Sequence, residues 1–160
     1  MRAKWIVPLA AATAMALFAA LEVEAADVKF QIRNVEFKEN GRLDSQLMGL
    51  CDAKQSVRDA VVRLRGPYRK KPTDGLPEVD IRIDKIARLA AGNSGVRWGG
   101  LEFGVTAILV AQPDVEAQFL CRHPVLGIGG RSAYCPTIDE CSFDVSKKLF
   151  KWMKVVKPAK

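Results

Sequence analysis

The chain has 160 residues, 49% of them hydrophobic and 27% charged, with a net charge of +7, four cysteines and one histidine. That is enough sequence for one domain with a single real core. No internal repeat, no low-complexity tract and no second stretch apolar enough to span a bilayer is present, which excludes repeat arrays and polytopic helical membrane proteins.

The first 26 residues read as a leader. Arg2 and Lys4 form a basic head, Ile6 to Leu21 is an almost unbroken apolar run, and Val23-Glu24-Ala25-Ala26 is a small-residue exit. These are the three parts of a secretory signal peptide. The run falls short of the roughly 20 residues that span a bilayer, so cleavage after Ala25 or Ala26 is favoured over an uncleaved anchor. No cysteine stands at the exit to carry a lipid. The expected division is a signal peptide over 1–26 and one α+β domain over 27–160, periplasmic or secreted, without a transmembrane segment after cleavage.

Val28, Phe30 and Ile32 alternate with Lys29, Gln31 and Arg33, the period of two of a strand. Val35 and Phe37 continue it out of phase, which predicts a bulge near Asn34. Asn40-Gly41 is a turn signal expected to end the strand. Asp44 or Ser45 can cap a helix whose Leu47, Leu50, Val57, Ala60, Val61 and Leu64 recur at three- and four-residue steps. Gly49 moves its firm part toward Asp52, and Gly66-Pro67 stops it.

A basic loop over Pro67–Pro77 leads to a second strand, Val79, Ile81 and Ile83 against Asp80, Arg82 and Asp84, less regular through Ile86 and Leu89. Then comes the central stretch, Leu101–Cys121. Leu101, Phe103, Val105, Ala107 and Leu109 alternate with Glu102, Gly104, Thr106, Ile108 and Val110. After Pro113-Asp114, expected as the break, Val115, Ala117, Phe119 and Cys121 resume the alternation. This predicts a hairpin with one strongly apolar face that needs a helix layer over it. Glu102 and Glu116 read as solvated strand residues, able to face each other.

His123 to Pro136 reads as a loop. Thr137-Ile138-Asp139-Glu140 then fits a capping box, opening a helix with Cys141, Val145, Leu149, Trp152 and Val156 on one face and lysines in its last turns. The order is β-α-β-β-β-α, an antiparallel or mixed sheet with two helices mainly on one face. In that order, from Val28 to Val156, the chain resembles small α+β domains of bacterial envelope proteins. These include the periplasmic activator lipoproteins of peptidoglycan synthases and the secretion lipoproteins of curli systems. The resemblance implies a partner-binding role; the lipid-modified cysteine of those proteins is missing here.

Cys51, Cys121, Cys135 and Cys141 make an even count suited to an oxidising compartment. The preferred pairing is Cys135–Cys141 with Cys51–Cys121, and Cys121–Cys135 comes next. No close cysteine pair exists to hold zinc, so neither metal nor cofactor is expected. Positive charge gathers at Arg63, Arg65, Arg69, Lys70 and Lys71, and again at Lys147, Lys148, Lys151, Lys154, Lys157 and Lys160. For an exported chain this favours an acidic envelope protein, anionic lipid or glycan surface over nucleic acid, with a merely solubilising basic face as the alternative.

Candidate binding residues follow. Tyr68 stands beside Arg69-Lys70-Lys71, Trp98 beside Arg97, and Gly127-Ile128-Gly129-Gly130 beside Arg131 could offer backbone N–H groups to an anion. No serine elbow, paired-histidine motif or nucleotide fingerprint occurs. The sequence therefore favours an exported, non-enzymatic envelope protein that binds an anionic or acidic partner. The alternative is a small periplasmic thiol enzyme or hydrolase using Cys121 and His123.

Overall fold

The computed structural model describes residues 30–65, 75–89, 99–125 and 133–156. Period-two segments become four strands: β1 (Gln31–Leu43), β2 (Glu78–Leu89), β3 (Gly99–Leu109) and β4 (Gln112–Val125). Three helices accompany them, α1 (Ser45–Leu50) and α2 (Ala53–Arg65) between β1 and β2, and α3 (Tyr134–Val155) after β4. The fold is α+β with sheet order β1-β2-β3-β4. β1 and β2 are parallel and the other two pairs antiparallel, so α1 and α2 supply the crossover that a parallel pair requires.

The expected first helix is two helices. Cys51 adopts an extended conformation, and a second aspartate restarts the spiral. Asp44 Oδ1 accepts from the N–H groups of Gln46 and Leu47, and Asp52 Oδ1 accepts from Gln55 N–H at 3.0 Å. Each carboxylate satisfies donors that a helix start leaves open. The break turns Leu50 out of the apolar face, where it is 56% exposed.

All three helices contribute to one core, built on the face of the sheet that carries Ile81, Ile83, Phe103 and Val105. Leu47, Val57 and Val61 press on it from α1 and α2, and Ile138, Val145 and Leu149 from α3. Phe30 meets Phe150 edge to face at 4.9 Å, a geometry that aromatic quadrupoles favour.

Three register shifts explain the phase slips of the sequence. Ile32 pairs with Val79 but Asn34 with Asp80, so the bulge near Asn34 is at Arg33. Ile83 pairs with Val105 but Lys85 with Gly104, which places the Asp84 bulge where the second strand loses its rhythm. The third is larger. Phe37 pairs with Ile83 and Arg42 with Lys85, so Lys38–Gly41 leaves the ladder and the strand then continues to Leu43. Asn40-Gly41 is thus an excursion within β1, not its end. Gly41 is required there, since a Cβ would stand 2.8 Å from the Asp84 carbonyl oxygen.

Two further expectations are corrected. The hairpin turns at Val110-Ala111, and Pro113-Asp114 lies inside β4, in the shift between the Ile108–Glu116 and Leu109–Gln112 pairs. A proline lacking its N–H is tolerated at such an irregularity on an edge strand. Helix α3 begins at Tyr134, so Thr137 is internal and its hydroxyl donates back to the Ala133 carbonyl at 3.2 Å. Pro136 fits in the first turn, where its absent N–H has no helical partner to lose.

That early start also overturns the expected cysteine pairing. With both residues inside α3, Cys135 and Cys141 are separated by about 9 Å of helical rise, beyond disulfide reach. Instead Cys51 bonds Cys135, and Cys121 bonds Cys141. One bridge ties the end of α1 to the first turn of α3; the other pins α3 to β4. Trypsin should therefore release one species in which the single peptide carrying Cys135 and Cys141 is linked to two others. Cleavage after Glu140 should split it into a Cys51–Cys135 pair and a Cys121–Cys141 pair by mass spectrometry. A free Cys135–Cys141 peptide would refute the arrangement.

Candidate functional site: the open face of the sheet

The binding residues nominated from sequence, Tyr68, Arg69, Lys70, Lys71, Arg97, Trp98 and Arg131, all lie outside the described residues, as does the glycine-rich stretch before Arg131. The alternative catalytic pair is described and does not assemble. Cys121 Sγ is bonded to Cys141, so it offers no thiolate. His123 is exposed, with Nε2 3.2 Å from the Glu140 carboxylate and Nδ1 2.9 Å from the Pro124 carbonyl. Among the described residues no group of three His, Cys, Asp or Glu side chains could hold a metal ion.

The chemistry of the described residues lies on the sheet face turned away from the helices. Alternation places Asp80, Arg82, Lys85, Glu102, Thr106 and Arg122 there, opposite the core positions. They pair across strands. Arg33 bonds Asp80, and Arg82 Nε meets Glu36 Oε1 at 2.9 Å. Glu102, 3% exposed, takes Arg122 at 2.8 Å and Lys85 at 3.5 Å. The Arg122 hydrogen bond holds the Glu102 carboxyl below its ordinary range against the upward push of burial, with Lys85 adding to the effect. Glu102 and Glu116 do not face each other: their partners across the hairpin are Arg122 and Ile108. The sequence signal for Glu102 was its position, a carboxylate flanked by Leu101 and Phe103 in the most apolar strand of the chain.

A trough of about 490 Å³ crosses this face. One wall is β1, with Lys38 and Asn40 of the excursion and Arg42 just after it. The floor is the Asp84-Lys85 bulge and Gly104, and the far wall holds Gln118 and Leu120 of β4. Gly104 keeps the floor open. A Cβ there would stand 2.7 Å from Asp84 Oδ1 and 3.1 Å from the Lys85 Cβ. Asp84 Oδ2 accepts from the Thr106 hydroxyl at 2.8 Å.

Both free edges of the sheet are interrupted. β1 carries the Arg33 bulge and the excursion, and on β4 the Lys148 ammonium donates to the Leu120 carbonyl at 2.7 Å. Bulges and edge lysines discourage another strand from adding.

No family model matches the chain, and no curated protein matches it. Several solved structures are similar at low identity. Protein XCC0632 of Xanthomonas campestris, described with the family model DUF330, is 13% identical over 79% of this chain and 85% of its own, with a TM-score of 0.49. Rare lipoprotein B of Shewanella oneidensis is 12% identical over 78% and 94%, with a TM-score of 0.44. A minor lipoprotein of Acinetobacter baumannii is 6% identical over 78% and 90%, with a TM-score of 0.42. None of the three is described as a synthase activator or a curli-secretion protein. Likeness at this level assigns no role. No helix among the described residues is long and apolar enough to cross a membrane.

Proposed function

We propose that this chain is an exported, non-catalytic envelope domain that binds an anionic or acidic partner. The observation that carries the reading is the state of the cysteines: all four are consumed in two bridges that lock the helix layer to itself and to the sheet. Such bridges form and persist where thiols are oxidised, in keeping with the leader of residues 1–26. They also remove the only nucleophile that the sequence offered to a thiol mechanism. The basic residues Arg69–Lys71 and the lysines of α3 supply the charge that an acidic partner would meet.

A pull-down from envelope fractions tests the partner, comparing the natural chain with an Arg69→Glu, Lys70→Glu, Lys71→Glu variant. The natural chain should retain an acidic component that the variant releases. Equal capture by the two would remove these three residues from the interface, and no capture by either would remove the function. Localisation is tested separately: the full-length chain recovered from the cytosol with four free thiols would end the proposal.

A further inference from the structure

Most described cations of the open face of the sheet are paired with carboxylates, and two at the trough are not. Arg33, Arg82, Lys85 and Arg122 each meet a carboxylate, of Asp80, Glu36 or Glu102. Lys38 and Arg42, on the wall of the trough, are exposed and have no ion-pair partner among the described residues. Lys38 stands on the excursion and Arg42 where β1 rejoins the ladder opposite Lys85, and Gly41 makes the close packing between them possible. The result is a wall of unneutralised cations over a floor that Gly104 leaves low.

We propose that this trough is a docking site for an acidic peptide segment of a partner protein. The claim deepens the function proposed above and rests on it. The volume, about 490 Å³, lies within the roughly 300–1,000 Å³ of ligand-sized sites.

The lining decides the chemistry. Carboxylates of the segment would pair with Lys38 and Arg42, the guanidinium being able to take a carboxylate with two parallel N–H groups. Asp84 Oδ2 is occupied by Thr106, which leaves Oδ1, aimed over Gly104, as an acceptor in the floor. A bare anion would be repelled by it. A peptide presents an N–H to it while holding its carboxylates apart on the cationic wall.

Asn40 and Gln118 both line the trough, and their side-chain amides match a peptide bond in donors and acceptors. Leu120, 40% exposed, offers an apolar contact for a neighbouring side chain. The segment would lie over the face and not extend the sheet, because both edges are interrupted.

The test uses the full chain with its disulfides intact and a fluorescent decapeptide of alternating Glu and Leu, read by anisotropy. A Gln/Leu decapeptide, dextran sulfate and anionic phospholipid vesicles serve as comparison probes. The Glu/Leu peptide should bind at least tenfold tighter than the Gln/Leu peptide, and more weakly as salt rises. Lys38→Glu/Arg42→Glu should lose at least tenfold, and Gln118→Trp, which fills the trough from its far wall, should lose binding without altering charge. All three positions are exposed, so both variants should keep the natural unfolding midpoint.

Equal binding of the two peptides, or undiminished binding by Lys38→Glu/Arg42→Glu, would overturn the site. So would loss of dextran sulfate or vesicle binding in that variant when the peptide does not bind the natural chain. If the variant still captures the envelope component as the natural chain does, the trough fails and the broader function stands. If neither captures anything, the broader function fails.

Discussion

Replacing Cys51 and Cys135 together by alanine should cost about 4–5 kcal/mol of stability, because the bridge closes a loop of 84 residues in the unfolded chain. Replacing Cys121 and Cys141 together should cost about 3 kcal/mol from closure of a 20-residue loop, with a further loss because Cys141 is fully buried. Either loss is a large share of what holds a domain of this size together.

The two bridges act on different parts of the fold. Without Cys51–Cys135, the break between α1 and α2 loses its attachment to α3, and the short α1 should fray first. Without Cys121–Cys141, α3 still packs through Ile138, Val145 and Leu149. Guanidinium chloride unfolding of both double variants, without reductant, measures the costs. A loss below about 1 kcal/mol for the Cys51/Cys135 variant would mean that this bridge does not constrain the unfolded chain as the loop-closure model states.

A second large effect is expected at Glu102. Lys85→Ala/Arg122→Ala removes both cations from a carboxylate that is 3% exposed. Stripping the partners of a sealed ion pair costs about 3–5 kcal/mol. Here Arg122 is 67% exposed and Lys85 34%, so water screens the pair and about 2–4 kcal/mol is expected at neutral pH.

The pH dependence gives the sharper reading. In the natural chain the folded pKa of Glu102 is depressed, first by the Arg122 hydrogen bond. Its contribution is therefore full above the unfolded value of roughly 4.3 and is lost as pH falls through the lower folded value. In the double variant only burial remains, which raises the folded pKa and makes ionised Glu102 a liability. That liability should shrink as pH falls from 7 toward 5, so the deficit against the natural chain should narrow on acidification. Adding Glu102→Leu to the double variant should recover most of the stability. A deficit that is constant with pH, or unmoved by Glu102→Leu, would show that the carboxylate is not what the two cations hold.

The legible parts of the fold were those governed by local periodicity. The alternation over Leu101–Leu109 and Ile81–Ile83, and the three- and four-residue steps through Val57–Val61 and Val145–Leu149, each became the expected element. The bulge in β1 was visible because a phase slip in a period-two pattern flips every later side chain. Turn residues misled for a different reason. Asn40-Gly41 and Pro113-Asp114 do bend the chain, but pairing partners on either side, Ile83 and Lys85 in one case and Ile108 and Leu109 in the other, recapture the strand beyond the bend.

Of the candidate site, the strands and charges could be read in advance and the trough could not. It exists because Lys38–Gly41 of β1, the Asp84 bulge of β2, Gly104 of β3 and Leu120 of β4 meet at one place, and nothing in their spacing announces that meeting. The cysteines divide in the same way. Their even number was plain from composition, whereas their partners depended on where α3 begins, which a misplaced cap concealed. By itself the sequence determined the class of fold, the order of its elements and the excess of positive charge, all set by residues near one another along the chain. Tertiary structure alone decided the disulfide pairing, the burial of Glu102 and which cations remain unneutralised, because each depends on residues brought together from distant strands and helices.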